Sequence, residues 1–364
     1  MARLGDICEI VSGTTPKTNI PEFWDGEINW ITPAELNDDS TIIYESQRKI
    51  TEKAVQSSGL KPFPAGTVIL SSRAPIGKVA IAGVEMYCNQ GFKNLICSEH
   101  IYNKYLFWFL KSKTDYLNSL VRGATFKEIS KSIVEGIDIP LPALETQQFI
   151  ATLLDKISDL IALRKQQLDK LDELVKARFV EMFGDPIKNN LGLPTKKLGK
   201  ICALKAGITT SADLIHEQSS EYSIPCYGGN GIRGYVNVPT QNGIYPIIGR
   251  QGALCGNVQL ASGKFHATEH AVLVTPLIET NIIWLFYLLK YMDLYRFHTG
   301  AAQPGLAVKT LNLVGIPCAE IAQQNKFANF AEHIEKCKLT IQQGLDKLEM
   351  MKKALMQQYF GGGD

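Results

Sequence analysis

Residues 139–184 fall on residues 316–361 without a gap when the chain is displaced along itself by 177 positions, and 14 of the 46 aligned positions are identical. The matches run from Ile139-Pro140 on Ile316-Pro317, through Gln147 on Gln324, Ala151 on Ala328, Ile157 on Ile334 and Leu168-Asp169-Lys170-Leu171 on Leu345-Asp346-Lys347-Leu348. Lys176-Ala177 on Lys353-Ala354 and Phe183-Gly184 on Phe360-Gly361 close the series. A period this long is not that of a solenoid, whose units span roughly 20–50 residues. It is the mark of a duplicated half-protein.

Upstream the likeness weakens. Leu4-Gly5-Asp6-Ile7-Cys8 echoes Leu198-Gly199-Lys200-Ile201-Cys202 at a displacement of 194, so the second half has lost 17 residues before the shared segment. Gly123-Ala124-Thr125 sits over Gly300-Ala301-Ala302, and Arg73 over Arg250, with two extra residues before Gly77 meets Gly256. A duplicated frame with divergent contents suits one task performed on two different targets.

Within residues 1–143, Gly66–Arg73 and Lys78–Gly83 read as two strands joined by a turn containing Pro75 and Gly77. Tyr102–Val121 carries apolar residues at helical spacing and stops near Gly123. The second half repeats the order with Gly243–Arg250, Ala271–Val274 and Ile282–Phe297. Each half is therefore expected to be a small α+β domain.

The segments that follow each domain differ in kind. Leu154, Ile157, Ile161, Arg164, Leu168, Leu171, Val175, Arg178 and Met182 recur at alternating steps of four and three, the seam of a coiled coil. Phe327, Ala331, Ile334, Ile341, Leu345, Leu348, Leu355 and Tyr359 occupy the second copy. Each segment predicts a helix of about 36 residues, roughly 54 Å long. A helix apolar along one stripe and charged opposite it gains its stability by packing that stripe. The natural partner of each is the other copy, with Ile157, Leu168, Leu171, Ile334, Leu345 and Leu348 as packing residues.

At 364 residues the chain is too long for one core. Its balance of 38 Lys and Arg against 36 Asp and Glu argues neither for nor against nucleic acid, because phosphate affinity rests on local positive charge. Eight cysteines without a CxxC pair, a start without signal-peptide features and no run near the roughly 20 apolar residues of a membrane span predict a cytosolic chain with reduced thiols and no membrane role. There is no GxxxxGK[ST] loop, no GxGxxG after a strand, and no Asn/Asp-Pro-Pro-aromatic motif of amino-methyltransferases; Asp185-Pro186 is followed by isoleucine and lysine. His266-Ala-Thr-Glu269-His270 spells a zinc-peptidase motif, but it runs into a predicted strand, so no metal site is expected.

Taken together, these features resemble the specificity subunit of type I restriction-modification systems. The repeated boundary carries most of the resemblance: Ile139–Ala151 is similar to that family's passage from recognition domain to conserved helix, and Phe183-Gly184-Asp185-Pro186 to its exit. Trp30–Leu36, Ser72-Arg73 before Gly77, Tyr227–Gly234 and Gly123–Thr125 are similar to recurrent patterns inside the domains. Cys318-Ala319 departs from the pattern, where a second proline is usual.

The resemblance implies an α+β protein with a pseudo-twofold internal repeat, in which two target-recognition domains are separated by two long helices forming an antiparallel coiled coil. Its segments are recognition domain 1 over 1–143, spacer helix 1 over 144–182, recognition domain 2 over 183–320 and spacer helix 2 over 321–360. Each domain would read half of an asymmetric, interrupted site in double-stranded DNA, with the helices as a ruler. Two methyltransferase subunits carrying S-adenosylmethionine, and restriction/translocase subunits using ATP and Mg, would dock on a chain that itself holds no cofactor and catalyses nothing. The alternative is a non-catalytic adaptor whose duplicated domains bind protein.

Candidate DNA contacts follow from chemistry. Arg73 and Arg250 end equivalent predicted strands, where an arginine fork can clamp a phosphate or guanine O6 and N7; a structural salt bridge is the alternative. Gln90, Lys93, Arg122, Thr125 and Lys127 in the first half, with Asn230, Arg233, Gln251, His266, Gln303 and Lys309 in the second, are polar residues in glycine-punctuated loops. Trp30 is large enough to stack on a base, although burial is the favoured reading.

Overall fold

The computed structural model describes residues 1–37, 41–120, 128–252, 254–300 and 304–361. It divides into two compact units, Met1–Arg164 with Gly344–Asp364, and Lys165–Gln343. Two 40-residue helices, Leu144–Phe183 and Ile321–Phe360, each contribute their first part to one unit and their last part to the other.

In the first unit the strands of the larger sheets are β1 Cys8–Val11, β2 Trp24–Ile31, β3 Ile42–Ile43, β4 Lys49–Ile50, β5 Val68–Leu70, β6 Val79–Ala82, β7 Tyr87–Cys88 and β8 Asn94–Cys97. They form a five-stranded sheet in the order β1-β8-β5-β6-β3 and a three-stranded one in the order β4-β2-β7. The second unit holds β9 Cys202–Ala206, β10 Ile224–Gly228, β11 Gly231–Val236, β12 Gln241–Gly249, β13 Val258–Ala267 and β14 Ala271–Pro276, in one six-stranded sheet of order β9-β14-β12-β13-β10-β11. The orders match. The continuous β13 does the work that β6 and β7 share in the first unit, pairing in parallel with β10 as β7 pairs with β2.

One backbone crossing is duplicated to the atom. A Cβ on Gly13 would lie 1.9 Å from the Cys88 carbonyl oxygen, and one on Gly207 would lie 2.1 Å from that of Ala267. Only glycine fits at either crossing.

Behind each sheet lies a short helix, Asn103–Ser112 or Ile282–Tyr291. Tyr105–Leu110 are all buried, as a helix apolar on every side must be. Both helices are shorter than the sequence predicts. In the first, the helix ends at Ser112 and a separate one, Thr114–Ser119, follows the non-helical Lys113 (ψ 17°). In the second, Asp293 takes a left-handed conformation (φ 48°), and a 3₁₀ turn over Leu294–Phe297 replaces the last predicted turn.

Each long helix starts against its own domain through a buried glutamine. Gln147 Oε1 accepts from the Tyr102 amide (2.8 Å), and its Nε2 donates to the carbonyls of Pro142 (2.8 Å) and His100 (3.0 Å). Gln324 repeats this with the Asn281 amide (2.9 Å) and the Ala319 carbonyl (2.8 Å). The Pro-to-Ala change at 319 leaves the bracket intact, because it uses a backbone carbonyl.

The helix ends pack in the other unit. Phe360 joins Tyr105 and Phe109 in the first core, with ring centroids 5.3 and 5.9 Å away, beside Ile150 and Leu154. In the second, Phe179 and Phe183 meet Phe327 at 5.2 and 5.7 Å, and Asp172 pairs with Lys338 at 2.7 Å. Within that unit residue numbers rise along one helix as they fall along the other, so the helices run antiparallel. Gly184 (φ 74°) closes the first long helix in the left-handed conformation, its amide bonded to the Val180 carbonyl.

Of the predicted packing residues, Ile157 and Leu345 are buried, and Leu168, Leu171, Ile334 and Leu348 are half-buried. The outer faces are less polar than the charge pattern suggests. Phe149, Leu160, Leu163, Met350 and Met351 in the first unit, and Leu174 and Leu339 in the second, are exposed.

Candidate nucleic-acid interface

The polar edge of each unit is built where the central strand ends. In the first unit, Ser72 leaves β5 with its amide on the Gly91 carbonyl (2.8 Å) and its carbonyl accepting from the Ile129 amide (2.9 Å), and Arg73 bridges Glu128. In the second, Arg250 leaves β12 with its amide on the His270 carbonyl (3.0 Å) and its carbonyl accepting from the Leu306 amide (2.8 Å), and Gln251 bridges Gly305. The counterpart of Arg250 is therefore Ser72, and that of Arg73 is Gln251.

This corrects the superposition of the two arginines by one residue. The turn closes with the Gly77 amide on Ser71 in the first unit and the Gly256 amide on Gly249 in the second, one residue longer. Hydrogen bonding sets the register, and matching arginine to arginine absorbs the extra residue in the wrong place. By the same register His270 corresponds to Gly91.

Arg73 is exposed, with Nε and Nη2 both 2.9 Å from Glu128 Oε2. Lys93 is buried; its Nζ reaches Glu128 Oε1 at 3.1 Å and Ser72 Oγ at 3.4 Å. Partial burial pushes the Glu128 carboxyl up, but the hydrogen bonds and charges of Arg73 and Lys93 outweigh it and hold the group below the ordinary carboxylate range. Lys93 thus positions Glu128 and presents no surface. Exposed Gln90 is hydrogen-bonded to Thr15. Arg122, Thr125 and Lys127 lie outside the described residues.

In the second unit, β10 and β11 form a hairpin whose turn is Gly229-Asn230. Arg233 therefore stands in a strand, and His266 in β13, rather than in the loops expected of them. Gly229-Asn230-Gly231, a turn signal flanked by the strand-favouring Ile224, Tyr227, Ile232, Tyr235 and Val236, was the available sign of the hairpin. A cleft of about 630 Å³ opens over its turn, lined by Gly228–Arg233, Gln251, Gly252, Leu254 and His270. Asn230, Arg233 and Gln251 meet there, all exposed. Asn230 Oδ1 accepts from Asn257 Nδ2 (2.6 Å).

His270 was not among the predicted contacts, yet it lines the cleft with Nε2 3.3 Å from Glu269 Oε1 and Nδ1 buried without a partner. Burial raises the Glu269 carboxyl, but bonds from its own amide and the Thr210 amide, with the charges of His270 and Arg233, hold it low. His266 lies away from the cleft, its Nε2 2.7 Å from Thr210 Oγ1; burial pushes its imidazole down, which favours the neutral form. The HxxEH residues straddle a turn between two strands, and among the described residues no group of three or more His, Cys, Asp or Glu could hold a metal ion. Lys309 is exposed on the helix Val308–Leu313, apart from the cleft lining, and Gln303 lies outside the described residues.

Trp30 is buried, donating from Nε1 to the Thr14 carbonyl (3.1 Å), so it is a core residue. Arg48 stacks over the neighbouring Trp24 at 3.9 Å.

The family model described as "Type I restriction modification DNA specificity domain" matches residues 1–173 and again 191–350. The chain belongs to the type I restriction-modification specificity subunits. It is 34% identical over 346 residues to the specificity subunit of the EcoprrI enzyme of Escherichia coli, covering 88% of this chain and 84% of that one. It is 40% identical over 223 residues to the MjaIX specificity subunit of Methanocaldococcus jannaschii, covering 56% and 52%. In fold it is similar to the solved S subunit from M. genitalium, with TM-score 0.66 at 16% identity over 98% of this chain and 95% of that one. A specificity subunit is a non-catalytic component that gives a restriction-modification system its DNA sequence preference. Among the described residues no helix is long and apolar enough to cross a membrane.

Proposed function

We propose that this specificity subunit reads a bipartite, asymmetric site in double-stranded DNA, one half with each unit, and that the long helices set the length of the unread spacer. The observation that supports this reading is a sheet frame repeated in register around polar edges that differ: Arg73 and Glu128 in one unit, Arg250, Gln251 and Gly305 in the other. Asn230, Arg233 and Gln251 around the second cleft are the base-reading candidates, since amide and guanidinium groups make bidentate contacts to adenine and guanine.

The chain works within a type I complex. Methyltransferase subunits, two by the symmetry of the repeat, would bring S-adenosylmethionine, and restriction/translocase subunits would consume ATP with Mg in the cytoplasm. The exposed apolar residues along the helices of each unit support docking of such protein partners.

Selection of bound fragments from random DNA by the assembled complex tests the reading. It should return two short fixed sequences separated by a constant unread gap. Deleting one heptad, Leu168–Leu174, should shorten the gap or abolish binding without changing either half-sequence. A single continuous motif, or an unchanged gap after the deletion, would sink it.

A further inference from the structure

The register of the two polar edges exposes a charge difference that their sequences hide. Glu128 and Gly305 occupy the same place, one bridged to Arg73 and the other to its counterpart Gln251. In the first unit the carboxylate at that place neutralises Arg73 and is itself held by Lys93. In the second unit the carboxylate is gone and the arginine stands one position earlier: Gln251 takes the place of Arg73, and Arg250 that of the fully buried Ser72. Arg250 Nε is buried without a hydrogen-bond partner, and among the described residues the side chain makes no ion pair. Glu269, the nearby acid, faces His270, Arg233 and the Thr210 amide.

A guanidinium that is half removed from water and given no counter-charge is costly to keep unless an anion arrives. DNA backbone oxygens are the anions a specificity subunit meets, and an arginine fork fits them. Resting on the DNA-specificity reading above, we propose that Arg250 takes a DNA phosphate as its missing counter-charge, whereas Glu128 holds Arg73 off the backbone, so that the residue at position 128 or 305 sets how much phosphate affinity each unit carries.

The test uses the full chain and a random-sequence duplex, with affinity followed by fluorescence anisotropy across a salt series, because phosphate contacts need no target sequence. Arg250→Gln should weaken binding several-fold and lower the salt slope by about one. Gly305→Glu should do the same: a Cβ there meets nothing nearer than 3.8 Å, so the side chain can be accommodated beside Arg250. Arg73→Gln should leave the slope unchanged. Glu128→Gln should tighten binding and steepen the slope by about one. Since that change strips buried Lys93 of its counter-charge, the double variant Glu128→Gln with Lys93→Met is run beside it, freeing Arg73 without an orphaned ammonium.

An unaltered slope in Arg250→Gln, or an equal loss in Arg73→Gln, overturns the proposal while leaving the DNA reading standing. Absence of any salt-dependent binding by the unaltered chain overturns both.

Discussion

Gln147 and Gln324 hold the two long helices to their domains by the same two bonds, the amide oxygen accepting from a helix-start N–H and the amide nitrogen donating to a carbonyl five residues back. Glu128 and Gly305, each in the same place relative to its sheet, share nothing chemically. The first pair is fully buried among backbone groups that must be satisfied, and any other side chain would leave them stranded. The second pair stands at a rim that water or a ligand can reach, where charge can change without unfolding the unit. Of these two pairs, the one kept through the duplication is the one whose backbone groups need a partner, and the one released stands at the accessible rim.

The strongest way to break this comparison is at the helix ends. Phe183 and Phe360 are equivalent and nearly inaccessible, so replacing either by alanine should cost about 3–5 kcal/mol, read by denaturant unfolding of the full chain. The neighbouring pair should be unequal. Phe179 is fully buried among Phe183, Tyr291 and Phe327, whereas its counterpart Met356 is only partly buried, so Phe179→Ala should exceed Met356→Ala. Equal losses would show that the aromatic cluster is dispensable.

Next in size, Gln147→Ala and Gln324→Ala should each cost about 1–3 kcal/mol, since each strands a backbone amide. A loss confined to one unit would mean that the bracket is not the shared device it looks to be.

The smallest effect is on pH. The Glu128 carboxyl is held below its ordinary 4.5, so its contribution is complete above that value and disappears as pH falls through the lower folded value. Glu128→Gln should flatten the acid limb of the first unit's stability. The second unit, where Glu269 is held low instead, should keep its own acid limb. An unchanged acid limb in the variant would remove Glu128 from the stability account.

Much of this was legible in the chain. A 46-residue match and a heptad stripe required two copies of a domain and helix, because apolar spacing at 3.5 residues has no other stable use over that length. Ile157 and Leu345 were readable as buried for that reason. The exposed Phe149, Leu163 and Met350 were not, because periodicity tells which side is apolar and not which apolar residues a neighbour covers. At the rim, the sequence offered Arg73, Arg250, Gln251 and Arg233 but neither Glu128, whose role depends on Lys93 and Arg73, 35 and 55 positions away, nor His270, which the fold brings to the cleft beside Gln251.

By itself, then, the sequence determined the duplication, the helix pair, the α+β class and the family, all of which rest on patterns local to a segment or on comparison of segments. Register belonged to the tertiary structure. Whether Arg250 stands over Ser72 or Arg73 depends on which carbonyl meets which amide across the sheet, and a turn longer by one residue moves that assignment without changing any residue type. The same holds for charge. An arginine is neutralised or left open by what the fold brings beside it, Glu128 from 55 residues away in one unit and Gly305 at the matching distance in the other.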